Sequence, residues 1–189
     1  MTSQTATKLT YDDYAAMPDD GQRYELIEGE LVLNPAPILK HQVVTGRIYA
    51  RLLWHVEKHG AGLVVIAPTD VVLSPENVLQ PDVLFVSKAR ASILTRANVQ
   101  GAPDLVVETL SDGTRRRDEN VKRRLYERYG VAEYWVVDPE ADTVRVFRRD
   151  GDRFTLAAQL YASNDDVLTT PLLPGLQVEL REVFEYPLP

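Results

Sequence analysis

The chain has no cysteine among its 189 residues, so neither a disulfide framework nor a thiolate metal site can be built from it. Histidine is almost as scarce, with three residues at positions 41, 55 and 59. No run approaches the roughly 20 consecutive apolar residues needed to span a bilayer. The opening Met1-Thr2-Ser3-Gln4-Thr5-Ala6-Thr7-Lys8 lacks the apolar core of a signal peptide. A soluble, cytoplasmic protein with no membrane partner is expected. An excess of basic charge is missing too. The 21 Lys+Arg against 28 Asp+Glu give −7, the wrong sign for coating nucleic acid by charge alone. Nucleic acid as a partner is not thereby excluded, because a local basic patch and a bound cation can steer it.

What is present is one domain's worth of chain, long enough to bury a core without staples. A single domain over 1–189 is expected, with about the first nine residues loosely ordered. Thr10 is placed to cap a short helix ending near Met17-Pro18. Gln22 to Leu33 reads as a β-hairpin turning at Glu28-Gly29. Pro35 and Pro37 precede a long helix from about Leu39 to Lys58, with Val44, Ile48, Leu52 and His55 or Val56 at helical spacing. Apolar runs at Leu63–Ala67, Asp70–Leu73 and Asp82–Val86 read as strands, with a turn at Pro75-Glu76-Asn77. Ser87 to Gln100 is mixed, with room for a short helix. A buried strand at Leu105–Leu110 and a helix at Asp118–Tyr129, closed by Gly130, follow. Strands at Tyr134–Val137, Thr143–Arg148 and Arg153–Ala157 come next, the last two joined at Asp150-Gly151. The tail from Thr169 is expected to pack along the sheet.

Three ionisable residues sit in apolar settings. Asp82 opens Asp82-Val83-Leu84-Phe85-Val86, Glu108 ends Leu105-Val106-Val107-Glu108, and Lys122 lies among Val121, Leu125, Tyr126 and Tyr129. Charges are rarely desolvated unless paired, metal-bound or working. With Val121 at zero on a helical wheel, Leu125 falls near ~40°, Tyr129 near ~80°, Lys122 near ~100° and Tyr126 near ~140°. Lys122 therefore sits in the inward stripe, whereas Arg123, Arg124 and Arg128 fall outside it. Each residue has an ordinary reading as well. Lys122 could snorkel, Glu108 could reach solvent at a strand end, and Asp82 could be a turn carboxylate. Together they suit metal-assisted phosphodiester hydrolysis. A hard cation such as Mg²⁺ takes a few oxygen ligands and keeps waters, and an ammonium can offset charge developing on phosphorus.

Several blocks carry a resemblance. Tyr24-Glu25-Leu26-Ile27-Glu28-Gly29-Glu30-Leu31, Gln80-Pro81-Asp82-Val83-Leu84-Phe85-Val86 and Ala102-Pro103-Asp104-Leu105-Val106-Val107-Glu108-Thr109-Leu110-Ser111 come in order. Thr114-Arg115-Arg116-Arg117-Asp118-Glu119-Asn120-Val121-Lys122 and Val131-Ala132-Glu133-Tyr134-Trp135-Val136-Val137-Asp138-Pro139 follow. Together they resemble the Uma2 family of restriction-endonuclease-like proteins, within the PD-(D/E)XK nuclease superfamily, from about Tyr11 to Leu180. The resemblance implies an α/β (α+β) fold: a PD-(D/E)XK core with a mixed β-sheet flanked by helices, an N-terminal hairpin and a C-terminal antiparallel extension. It makes Pro81-Asp82 the PD element and Glu108 the acidic residue of (D/E)XK. Leu110 stands where that motif has lysine, and Lys122 on the following helix takes its place. Ser111-Asp112-Gly113-Thr114 departs from the family's more usual Ser-Pro-Ser-Thr.

The implied function is metal-dependent endonuclease cleavage of DNA. Asp82, Glu108 and Lys122 would be catalytic, and Mg²⁺ or Mn²⁺ would sit on Asp82, Glu108 and the Thr109 carbonyl. The alternative is a catalytically silent nuclease-like domain that binds nucleic acid or a protein partner. A homodimer would pair two sites for double-strand cutting. Glu25 and His41 are accessory candidates, each with a surface reading beside the functional one. Arg115, Arg116 and Arg117 form the dense basic run, read either as phosphate contacts or as a solvated face. His55 and His59 are read as structural, and Tyr134 and Trp135 as strand core.

Overall fold

The computed structural model describes residues 8–185. The chain runs α1 (Tyr11–Ala15), β1 (Arg23–Ile27), β2 (Glu30–Asn34), α2 (Leu39–His59), β3 (Gly62–Ile66), β4 (Val71–Ser74), β5 (Asn77–Leu79) and β6 (Val83–Ser87). A 3₁₀ turn at Lys88–Ile93 leads to β7 (Val99–Gln100) and β8 (Leu105–Thr109). After a π-helical stretch, Arg117–Lys122, come α3 (Arg123–Tyr129), β9 (Glu133–Asp138), β10 (Thr143–Asp150) and β11 (Arg153–Tyr161). The end is formed by β12 (Val167–Leu168), β13 (Val178–Glu179) and α4 (Leu180–Phe184).

A six-stranded mixed sheet, ordered β11-β10-β9-β8-β6-β3, is the centre of the fold. Its β8–β9 pair is parallel and β6–β8 antiparallel. Strands β6 and β8 are buried on both faces along almost their whole length, as the continuous apolar runs require. Odd-numbered residues Val83, Phe85, Leu105, Val107, Trp135 and Val137 face Ile48, Leu52 and Val56 of α2, together with Leu180, Val183 and Phe184 of α4. As far as Glu185, the tail thus packs on the sheet, through a helix and a two-stranded ribbon, and residues 186–189 lie outside the described residues. Leu84, Val86, Val106, Tyr134 and Val136 face the other way, toward Leu125 and Tyr126 of α3 and toward Val71 and Leu79.

Those last two belong to a second sheet, ordered β2-β1-β5-β4-β7. The hairpin β1–β2 turns at Glu28 and Gly29, both with positive φ (51° and 81°), as a two-residue turn of this hand demands. Helix α2 stops at Gly60 in the left-handed region, φ 59°.

Several expectations move. Strand β5 replaces part of the turn foreseen at Pro75-Glu76-Asn77, since Asn77 already pairs with Ser74. Strand β11 continues to Tyr161, and its hairpin closes on Asp150 and Arg153, so the two loop residues are Gly151 and Asp152. Lys8 and Leu9, expected in the loose start, are held. The Leu9 N–H donates to the Gly29 carbonyl at 2.9 Å, and Lys8 Nζ reaches Glu76 at 3.2 Å. Residues 1–7 lie outside the described residues.

Candidate active site

The antiparallel register of β6 and β8, Val83 opposite Val107, carries Asp82 level with Glu108. Asp82 stands just ahead of β6, where the backbone leaves the ladder. Its Oδ2 accepts the Thr109 N–H at 2.7 Å and lies 3.3 Å from His41 Nε2 on the first turn of α2. His41 is buried, so its surface reading is overturned: α2 enters the core one turn earlier than the apolar spacing suggested. The Thr109 hydroxyl accepts from Thr45 of α2 at 2.8 Å. These bonds fix the end of β8 against the long helix.

By strand alternation Glu108 points to the opposite face from Thr109. There the Lys122 Nζ donates to its Oε1 at 3.0 Å and the Tyr126 hydroxyl at 2.7 Å. Lys122 also lies 2.8 Å from Glu25 Oε1 and 3.4 Å from Asp118 Oδ1. The inward placement of Lys122 holds, although the helix beneath it is π-helical, with i→i+5 geometry. Glu25 is fully buried, which overturns its solvent-facing reading. Residues 23, 25 and 27 of β1 face the central sheet, and Glu25 Oε1 also accepts the Gln80 N–H at 2.7 Å.

Asp118 is a site residue not singled out from the sequence. Extending the same wheel back one turn puts it near ~60°, inside the inward arc and four residues before Lys122.

Burial is the largest influence on Glu108 and pushes it well above the usual carboxylate range. Lys122 pulls it down, and Asp118, Asp82 and Glu25 raise it again. Burial raises Asp118 too, against Lys122 and a Thr114 hydrogen bond. For Lys122, burial alone disfavours the charge, but Glu108, Glu25 and Asp118 outweigh it and hold the ammonium well above its ordinary value. The cation is thus locked in its charged state by three carboxylates.

Asp82, Glu108, Asp118 and Lys122 line one narrow, solvent-open cleft, with Arg23, Asn34, His41 and Arg117 among its other walls. The basic run does not face it as a unit. Arg115 makes a two-pronged pair with Asp138, at 2.5 and 3.0 Å. Arg117 donates to Asn34 Oδ1 and lies 3.8 Å from Glu25. Arg116 is exposed. Far from the cleft, the Nδ1 of His59 sits 2.8 Å from the His55 carbonyl.

A family model described as "Uma2: Putative restriction endonuclease" matches residues 11–181. The chain belongs to the Uma2 family. In fold it is similar to a crystal structure described as "a putative nuclease belonging to DUF820" from Anabaena variabilis ATCC 29413. The two share a TM-score of 0.79 at 18% identity, over 93% of this chain and 97% of that one. The mixed sheet flanked by helices is therefore a restriction-endonuclease-like fold in a nuclease family. No curated protein matches the sequence. No helix among the described residues of this Uma2 chain is long and apolar enough to cross a membrane.

Proposed function

We propose that this Uma2 protein is a divalent-metal-dependent endonuclease that hydrolyses DNA phosphodiesters, with Asp82, Glu108 and Lys122 at its centre. The observation that carries this reading is the placement of Asp82 and Glu108 on adjacent strand ends in one cleft, with the Lys122 ammonium 3.0 Å from Glu108.

The residues present fit a hard, hydrated cation. Asp82 Oδ1 and Glu108 Oε2 accept no hydrogen bond from the described residues, and both side chains line the cleft. Among the described residues no three His, Asp or Glu side chains gather closely enough to hold a metal alone. Mg²⁺ or Mn²⁺ needs only one or two carboxylates and completes its shell with water and substrate oxygen. Asp82 and Glu108 would hold it, with the Thr109 carbonyl as a further donor. When bound, the ion would polarise the phosphoryl group and acidify a water.

The chain's own groups do the positioning. The Thr109 N–H and His41 orient Asp82, so that one of its oxygens remains for the ligand. Lys122 and Tyr126 hold Glu108 by Oε1, and Lys122 keeps three buried carboxylates from repelling one another. With its donors turned to Glu25, Glu108 and Asp118, Lys122 acts first as a positioning cation. That same engagement favours the second reading, in which the cluster is structural and the domain only binds nucleic acid or a protein.

Supercoiled plasmid incubated with Mg²⁺ or Mn²⁺ separates the two. Cleavage is expected in the parent and at least about 100-fold less in Asp82→Ala and Glu108→Gln. Mn²⁺ binding by calorimetry should disappear with the same substitutions. Cleavage at the parent rate in either variant would sink the assignment, and an inert parent that binds no metal would favour the structural reading.

A further inference from the structure

Nuclease chemistry needs a cation that can meet a phosphate, and the obvious ones are engaged. Lys122 is enclosed by three carboxylates, Arg117 is held by Asn34 and Glu25, and Arg115 is clamped by Asp138. Arg23 is different. It starts β1 opposite Asn34, shares the strand face of Glu25, and lines the cleft. It is half-buried, yet it makes no ion pair and no side-chain hydrogen bond with any of the described residues, whereas its neighbours in the cleft are paired.

We propose that Arg23 receives a backbone phosphate of the nucleic-acid substrate at the mouth of the cleft, a proposal that rests on the nuclease reading above. A partly desolvated guanidinium without a counter-charge is costly unless a ligand supplies one. Its planar fork matches two phosphate oxygens at once. The placement on β1 explains how a chain of net charge −7 can bring a polyanion to an acidic cluster. Glu25 lies deeper on the same strand face and pairs with Lys122, while Arg23, two residues earlier, offers its positive charge outward. The β1 strand therefore holds one residue that builds the cluster and one that addresses the substrate. A rigid strand is also a better mount for such a contact than a loop, because its register is fixed by five cross-strand pairs.

The test is equilibrium binding of a fluorescent duplex of about 20 base pairs, read by anisotropy without divalent metal so that no cleavage intervenes. Arg23→Ala should weaken binding about tenfold at low salt. It should also lower the slope of log K against log salt by about one, the signature of one lost phosphate contact. Arg23→Lys should restore part of the affinity and most of the slope. Arg181→Ala, on α4 across the sheet, removes the same charge and should leave both unchanged. Melting of Arg23→Ala should stay within about 2 °C of the parent, since Arg23 has no partner to lose among the described residues. If the parent binds and cuts DNA while Arg23→Ala keeps affinity and slope, the Arg23 assignment falls and the nuclease reading stands. An equal drop in Arg181→Ala also overturns it, as a mere net-charge effect. A parent that neither binds nor cuts DNA removes the nuclease reading, and the Arg23 assignment with it.

Discussion

Val107 and Glu108 are neighbours on one strand, yet they face two different solvents. Val107 enters a dry layer in which the sheet meets Ile48, Leu52 and Val56 of α2 and the side chains of α4. Glu108 enters a layer that is apolar at its edges, through Leu84, Val106, Leu125 and Tyr126, but ionic at its centre. The first layer gains free energy by removing apolar area from water, about 25 cal/mol per Å². The second must first offset the desolvation of Glu25, Glu108, Asp118 and Lys122, and a buried ion cluster is weak evidence of stability. Two carboxylate oxygens there, Glu25 Oε2 and Asp118 Oδ1, have no hydrogen-bond donor among the described residues. Stability built on one face supports an expensive arrangement on the other, which is where chemistry is expected.

The contrast breaks most sharply at Lys122. Lys122→Met leaves three buried carboxylates without their cation and should cost about 3–5 kcal/mol in denaturant unfolding. Adding Glu25→Gln and Glu108→Gln to that variant should recover much of the loss, because two of the three uncompensated charges are removed and Asp118 alone keeps its own. A cost for Lys122→Met below about 1 kcal/mol would show that the cluster is wetter than its burial implies. On the opposite face, Leu52→Ala should cost about 2–4 kcal/mol through lost burial and a residual cavity. Plasmid cleavage per folded molecule, measured well below the melting midpoint, should then stay within about twofold of the parent. A large loss of cleavage in Leu52→Ala would mean that the two faces are not separable.

The same contrast marks how far the sequence could be read. The dry face was legible because Val44, Ile48 and Leu52 recur at one helical period and the runs at β6 and β8 are uninterrupted. Lys122 was legible by the same geometry. Glu25 was not, because alternation says that 23, 25 and 27 share a face but not which face is covered. That depends on the second sheet, and this sheet hinges on β5, a three-residue strand too short to leave a period. For His41 the choice between an accessory and a surface role stays open in the sequence, because a helix start carries too few turns to define an inward stripe. The partition of the basic run was hidden for another reason. Arg115 and Arg117 are neighbours in charge and sequence, but their partners, Asp138 and Asn34, come from β9 and β2, and only the tertiary fold brings them near.

The smallest expected effect lies where the ionic layer meets the end of β9. Asp138 accepts both prongs of Arg115 and the N–H of Glu140 at 3.1 Å. The Arg115 hydrogen bond chiefly holds its carboxyl below the ordinary value, against the opposing effect of burial. A carboxylate whose folded pKa is depressed stabilises the fold above its unfolded pKa, and that contribution disappears as pH falls through the folded value. Asp138→Asn should therefore cost about 1 kcal/mol near pH 7, the scale of a partly exposed charge-assisted pair. The gap between parent and variant should narrow once the pH drops below about 4, the range of a free aspartate, and it should shrink in high salt. Urea unfolding at pH 7 and pH 3 measures both ends. A gap that stays constant between them would mean that Asp138 acts through packing of the β9 turn, and that the ionic layer ends at the cleft instead of reaching this loop.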